Sequence, residues 1–413
     1  MKAGPWLRLI ALAAAAGVAL VVVTGDWAFG HDVAAHATFA LLAGVTLAAR
    51  FAHPNRPSLF AAAASALAAF ALAGLSALAG APAVLHLALG AVSLAAASVL
   101  AVISFRRSGE PVASPSTSLL LGSGPAAWRD YVTLTKPRIM VLLLLTAAGG
   151  VFLGAGGVPS AGLLAATLGG LALACGGASA LNHVLDRDID RLMGHRTSRR
   201  PVAAGRIPPA RALEFGVALS ALSFVLLAGF VNVLAALLAV FGNLFYVLVY
   251  TCWLKRSTPQ NIVIGGAAGA VPPVVGWAAA TGNLTLPALL LFLIVFFWTP
   301  PHFWALALLI RRDYEAARVP MLPVVRGERE TARSIVRYTV ALVAITLLPV
   351  AARTVGAVYL VSALALGAVF LALALALARA TTPARARRLF SFSLAYLALL
   401  FVALALDPIL AGS

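Results

Sequence analysis

Apolar runs of about twenty residues recur along this 413-residue chain. In lipid every backbone N–H and C=O must be satisfied within the segment itself, so such a run has one natural structure, a helix that spans a bilayer. Thirteen candidate spans can be read, near 6–24, 33–50, 58–79, 83–104, 138–156, 162–185, 213–231, 233–253, 260–280, 286–310, 336–352, 355–378 and 389–407. With 62% hydrophobic and 10% charged residues, a soluble fold has too little polar surface to be built. The expected class is an all-α polytopic membrane protein.

The net charge of +17 would suit a nucleic-acid partner if it were gathered on one polar face. It is instead dispersed among short loops, so no nucleic-acid partner is expected and topology accounts for it. Placing the amino terminus in the cytoplasm puts Lys2, Arg8, Arg50, Arg56, the basic residues of 106–138, 187–211, 255–256, 311–337 and 379–388 on one side, and Arg353 on the other. That bias obeys the positive-inside rule. The first run, with Lys2 and Arg8 ahead of an Ala/Val-rich core, also fits a cleaved signal peptide, and the remaining topology survives either reading. Cys175 and Cys252 lack metal-ligand spacing and read as packing residues.

A polar Pro/Ser-rich stretch, 106–130, interrupts the hydrophobic pattern. It divides the chain into a four-span unit, 1–105, and a nine-span unit, 131–413, and the second unit carries an unusual acidic constellation. Asn182, Asp186 and Asp190 are spaced four apart, so on a helix each is turned by only about 40° from the last and all share one face. Idle carboxylates are costly in a membrane and need pairing, water or metal. Asp313, after the tenth span, falls on the same side. Two acidic clusters facing each other could hold Mg²⁺ through oxygen ligands, with Asp186, Asp190 and Asp313 as the metal set, and the ions could grip a diphosphate. Arg196, Arg199, Arg200, Arg206, Lys255 and Arg256 supply charge for phosphate oxygens. Phe297, Trp298, Phe303, Trp304, Tyr250 and Trp277 are available to line a dry pocket in which an allylic cation would outlive water. Each is as readily explained as a packing or interfacial aromatic.

The Asn182-x₃-Asp186-x₃-Asp190 motif resembles the first aspartate-rich motif of the UbiA-type intramembrane prenyltransferases. Its companions resemble the protohaem IX farnesyltransferase (haem O synthase) branch: Arg196 to Pro201, Tyr250 to Gly266 with Asn261 inside it, Trp298-Thr-Pro-Pro-His302-Phe-Trp304, and Asp313 through Pro320-Met-Leu-Pro-Val-Val325. The resemblance runs from about Tyr131 to the carboxyl end. It implies farnesyl diphosphate and haem B as substrates, haem O as product, Mg²⁺ as cofactor, and the bacterial inner membrane with the site facing the cytoplasm. Asn182, Asp186, Asp190 and Asp313 would be catalytic. Arg196, Arg200, Lys255, Arg256, Tyr250, Asn261, His302 and Trp304 would bind substrate. His302 also reads as a structural hydrogen-bonder beside two prolines. Arg318 departs from the pattern, which has a small or amide residue there.

Nothing in that pattern accounts for 1–105. His36 and His86 open two spans expected to be parallel, at similar depth, as an axial haem pair would require. The arrangement resembles half of a haem A synthase and implies a fused haem-binding module, with haem A synthase or oxidase assembly factors as partners. A plain membrane anchor with two interfacial histidines fits equally. For the whole chain, prenyl transfer to an aromatic acid and an ion- or proton-coupled transporter stay open as other readings.

Overall fold

The computed structural model describes residues 128–411, apart from the side chain of Arg196. The first four expected spans, His36, His86 and most of the linker lie outside the described residues. Every regular element among those described is helical. A short entry helix, α1 (Trp128–Thr135), leads to α2 (Pro137–Ala155) and α3 (Ala161–Leu185), and two short pieces follow, α4 (Arg187–Leu192) and α5 (His195–Ser198). Next come α6 (Pro209–Phe230), α7 (Val233–Ser257), α8 (Asn261–Thr281) and α9 (Leu286–Leu309). Short α10 (Arg311–Ala316) and α11 (Leu322–Val325) precede α12 (Gly327–Ala351), α13 (Ala357–Arg379) and α14 (Pro383–Ala411). Nine helices among the described residues are long and apolar enough to cross a membrane: α2, α3, α6, α7, α8, α9, α12, α13 and α14. They match the nine spans expected for the second unit.

Of the described residues, 128–216 and 226–411 form one compact unit. Within it α8 and α9 are central, each with 61% of its apolar window buried, against 28% for α2 and α13. Among the described residues the first spanning helix, α2, packs on both α8 and the last helix, α14, so this bundle closes on itself. Small residues make that closure possible, because lipid tails solvate apolar side chains as well as a neighbouring helix does and close backbone approach must supply the attraction. A Cβ at Gly150 of α2 would lie 2.2 Å from the carbonyl oxygen of Pro273, and one at Gly276 of α8 would lie 2.0 Å from that of Ala147. The α2–α8 crossing is therefore backbone against backbone.

Two paired prolines, Pro272-Pro273 in α8 and Pro300-Pro301 in α9, sit inside these central helices. Neighbouring helices compensate the missing hydrogen bonds in a bundle interior. At the end of the bundle remote from α3's carboxylates, Asp407 of α14 accepts from the backbone N–H groups of Gly356 and Tyr359, capping α13 from another helix.

Candidate active site

The acidic face expected from sequence forms where α3 stops. Asp186 leaves helical geometry (φ −91°, ψ 3°), and α4 begins at Arg187, so the triad is shared between two helices instead of lying along one. The turn keeps the register: Asp186 N–H donates to Asn182 O and Asp190 N–H to Asp186 O, both at 2.8 Å. All three side chains are buried, Asp186 completely.

A buried carboxylate needs a cation, and the sequence supplies several. The Asp186 Oδ2 atom accepts from Lys255 Nζ at 2.5 Å and from Asn182 Nδ2 at 2.7 Å. Arg200 donates to Asp190 Oδ1 at 2.6 Å. Arg256 grips Asp188 with both terminal nitrogens, each at 2.7 Å, and also donates to Leu185 O, which satisfies a carbonyl at the end of α3. Partial burial works against the charge on Asp188, yet the Arg256 hydrogen bonds and charge outweigh it and hold the carboxyl below its usual range. For Asp190 burial dominates over the opposing pull of Arg200, and its carboxyl is pushed up.

Lys255 and Arg256 arrive at the end of α7, whose stretch Phe245–Leu254 is π-helical. The wider turn aims Thr251 at α3: its hydroxyl donates to Tyr246 O, five residues back, and accepts from Asn182 Nδ2 at 3.2 Å. Such π segments are uncommon and frequent at functional sites. Tyr250 stacks on Tyr246, with ring centroids 5.5 Å apart, and occupies space that a Cβ at Gly265 would take, 2.3 Å from its ring.

Lys136 completes the cluster and was not foreseen. It precedes a proline yet sits in the left-handed region (φ 50°, ψ 58°), a doubly disfavoured backbone for a lysine. From there Nζ donates to Asn182 Oδ1 at 2.9 Å. Burial pushes the ammonium down to about 7, the Arg200 charge acts the same way, and Asp186 opposes both. The sequence signal was Lys136-Pro137 itself, one basic residue at the mouth of an apolar run.

The other expected residues divide. Asp313 lies against Gly194, where a Cβ would come within 2.8 Å of its carboxylate, and Tyr314 beside it is buried within reach of the charges of Lys255, Arg200, Asp186 and Asp313. Burial holds the Tyr314 phenol up. Asn261 is fully buried at the start of α8, with neither amide atom hydrogen-bonded. His302 belongs to another neighbourhood: it bonds Ser393 Oγ at 2.7 Å and is stacked between Trp298 and Phe390, centroids 4.4 and 4.8 Å away. Trp304 packs edge-on against Tyr338. Arg206 pairs with Asp130 and the carbonyl of Arg199, tying the entry helix down. Arg318 stands at φ 53°, a conformation that Asn adopts more readily, which explains why its place suits an amide residue.

The donor set fits a divalent cation. Oδ1 of Asp186 and Oδ2 of Asp190 are buried oxygens without a hydrogen-bond partner. Among the described residues no three Asp, Glu, His or Cys side chains converge into a ligand cage. Mg²⁺ rarely has an all-protein cage: it is held by one or two carboxylates, with water and substrate phosphates completing the octahedron. Buried carboxylate oxygens ringed by Lys and Arg, at the end of an apolar bundle, suit a metal-bound diphosphate whose tail is hydrocarbon.

The profile of the UbiA prenyltransferase family matches residues 142–403. A protoheme IX farnesyltransferase of Symbiobacterium thermophilum is 54% identical over 281 residues, 68% of this chain and 94% of that protein. Protoheme IX farnesyltransferase 1 of Pseudomonas putida is 51% identical over 289 residues, 70% and 97% of the two chains. The relative from Roseiflexus sp. is 48% identical over 336 residues, 79% of this chain, and this chain spans 62% of its length. Among solved structures, a digeranylgeranylglyceryl phosphate synthase shares the fold with a TM-score of 0.58 at 19% identity, covering 68% of this chain and 98% of its own. A UbiA homolog from Aeropyrum pernix K1 does so at 0.54 and 22%, covering 67% and 98%. The chain belongs to the UbiA prenyltransferase family, and within it to the protoheme IX farnesyltransferases.

Proposed function

We propose that the chain transfers the farnesyl group of farnesyl diphosphate to a vinyl group of haem B, giving the hydroxyethylfarnesyl side chain of haem O for terminal oxidases. The observation that carries this reading is the buried Asp186–Asp190 pair at the end of α3, with Lys255, Arg256 and Arg200 on its carboxylates. Asp186 and Asp190 would hold Mg²⁺, with Asp313 adding charge from the far side. The metal, when bound, neutralises the diphosphate oxygens. Lys255, Arg256 and Arg200 then have two acceptors to share themselves between, the carboxylates and the diphosphate, and their fixed charges favour the state in which negative charge has moved onto the leaving group.

The C1–O bond of the farnesyl diphosphate breaks with its electron pair leaving on oxygen. The terminal vinyl carbon of haem B supplies the electrons for the new C–C bond. Water adds to the carbon left electron-poor beside the porphyrin, and its surplus proton departs with the diphosphate. Early water would quench the allylic cation, so the bundle must be dry around the chain's C1 and wet later at the vinyl carbon. The Phe296, Phe297 and Tyr338 rings, packed in series, supply apolar lining between α9 and α12.

The Lys/Arg bias supports reading the α3 end of the bundle as the cytoplasmic one, and the membrane proposed for the chain is a bacterial inner membrane. For residues 1–105 the reading is a haem-binding module with His36 and His86 as axial ligands, delivering to or receiving from a haem A synthase or oxidase assembly factors. Substituting either histidine by Ala in the full chain should remove a low-spin haem band from the purified protein. An unchanged spectrum leaves that unit as an anchor.

The test of the reaction is direct. Purified protein with haem B, farnesyl diphosphate and Mg²⁺ should yield haem O by mass spectrometry, and none after chelation. Farnesylation of an aromatic acid, with haem B untouched, would redirect the acceptor.

A further inference from the structure

The hairpin of α13 and α14 is basic at one end. Arg379 closes α13, and Arg385, Arg387 and Arg388 fall in the first two turns of α14. Between Ala357 and Ala411 the sole acidic residue is Asp407, and it is spent on the backbone N–H groups of Gly356 and Tyr359 at the opposite end. Arg385 has a structural task, since it donates to the carbonyls of Ala376 and Ala380 and so satisfies the end of α13. Arg387 and Arg388 are exposed, and among the described residues neither has a carboxylate partner.

These two arginines border an open cavity of about 670 Å³, together with Pro383, Ala384 and Ser391. The polar side chains on its wall are two guanidinium groups and one hydroxyl. A guanidinium fork matches two oxygens of a phosphate group, and the hydroxyl offers a further donor. Beyond Ser391 the same side of α14 turns apolar: Leu394, Leu399 and Val402 are exposed, and at 100° per residue each lies within about 80° of Ser391 around the helix. Cationic donors at the mouth of a spanning helix, followed by an exposed apolar strip, have the layout of an amphiphile with an anionic head. A soluble anion would gain nothing from the strip, and a zwitterionic head would gain little from two unpaired arginines.

We propose that Arg387, Arg388 and Ser391 seat the phosphodiester of an anionic glycerophospholipid, whose acyl chains run along Leu394, Leu399 and Val402. Basic pockets on spanning helices at the cytoplasmic face hold anionic headgroups in this way, because the headgroup charge is met at short range and the chains stay in the bilayer. The long arginine stems reach the headgroup level while their methylenes stay against apolar surface. The lipid site shares no residue with the candidate active site, so it stands whether or not the prenyl-transfer reading holds.

The test is lipid binding to the full-length, delipidated protein in detergent, read by native mass spectrometry. The probes are dioleoyl phosphatidylglycerol, dioleoyl phosphatidylcholine and, as a soluble headgroup, glycerol 3-phosphate. Phosphatidylglycerol should bind the wild type most tightly. Arg387→Gln and Arg388→Gln should each weaken it about fivefold and the double variant about thirtyfold, with phosphatidylcholine unchanged. Arg329→Gln removes the same charge from an exposed position on α12 and should leave phosphatidylglycerol affinity as it was. The single variants carry the test on their own if the double variant does not elute as one species. An equal loss in Arg329→Gln would overturn the seat, because net charge would then explain the binding. Unchanged affinity in Arg387→Gln and Arg388→Gln would overturn it as well, and so would phosphatidylcholine or glycerol 3-phosphate binding as tightly as phosphatidylglycerol.

Discussion

Nζ of Lys255 lies 2.5 Å from Oδ2 of Asp186, and the carboxylate it bonds is wholly buried. One residue comes from the end of α7 and the other from the end of α3, so this ion pair fastens two spanning helices at the point where the chemistry is placed. Removing one partner leaves the other as an uncompensated charge away from water, which costs about 3–5 kcal/mol.

Lys255→Met should therefore lower the unfolding midpoint in detergent markedly, and adding Asp186→Asn to it should recover part of the loss. If the double variant is less stable than Lys255→Met alone, the pair is not the source of the effect.

The neighbouring clamp of Arg256 on Asp188 has ideal bidentate geometry but stands in water, with 36% and 48% of the two side chains exposed. Exposed pairs are worth about 0–1 kcal/mol. Asp188→Asn should shift stability by less than about 1 kcal/mol, and it should reduce haem O formation only a few-fold, because Arg256 keeps its bond to Leu185 O. A loss of haem O formation of about two orders of magnitude would show that Asp188 contacts substrate or metal.

Helix crossing can be tested away from the site. Gly150→Ala and Gly276→Ala drive a methyl group into a backbone carbonyl of the facing helix. Each should cost about 1–3 kcal/mol or more by overpacking. Gly169→Ala, with nothing within 4 Å of the added carbon, serves as control and should be neutral. Equal stability of Gly150→Ala and Gly169→Ala would mean that α2 and α8 pack less closely than described.

Spanning helices are legible in a sequence because lipid imposes length and apolarity together. Where the pattern failed it did so at the edges. The helix expected near 336 begins at Gly327, running through Glu328, Glu330, Arg333 and Arg337 before the apolar part, and α14 likewise begins at Pro383, several residues before the apolar run. Hydrogen bonding continues past the lipid boundary, and hydropathy does not see it.

In the site, Asn182, Asp186 and Asp190 were legible because fourfold spacing survives a single loosened turn. The π-helical stretch Phe245–Leu254 was not, since an apolar run reads alike whether its hydrogen bonds skip four residues or five. Lys136 and His183 went unread for a different reason: each is ordinary in sequence, and what distinguishes them is burial beside the carboxylates, Lys136 on the Asn182 amide oxygen and His183 with neither ring nitrogen hydrogen-bonded. His302 shows the reverse, a residue whose chemistry stood out in sequence but whose contacts are with Ser393 and stacked rings.

The account turns on two carboxylates and the metal they are assigned. The most direct measurement is the initial rate of haem O formation as a function of Mg²⁺ for the wild type, Asp186→Asn and Asp190→Asn, each shown to be inserted and monodisperse. The wild-type rate should saturate with Mg²⁺, and both variants should fall by at least two orders of magnitude at every concentration. A variant that retains the wild-type rate and the same Mg²⁺ dependence would contradict it.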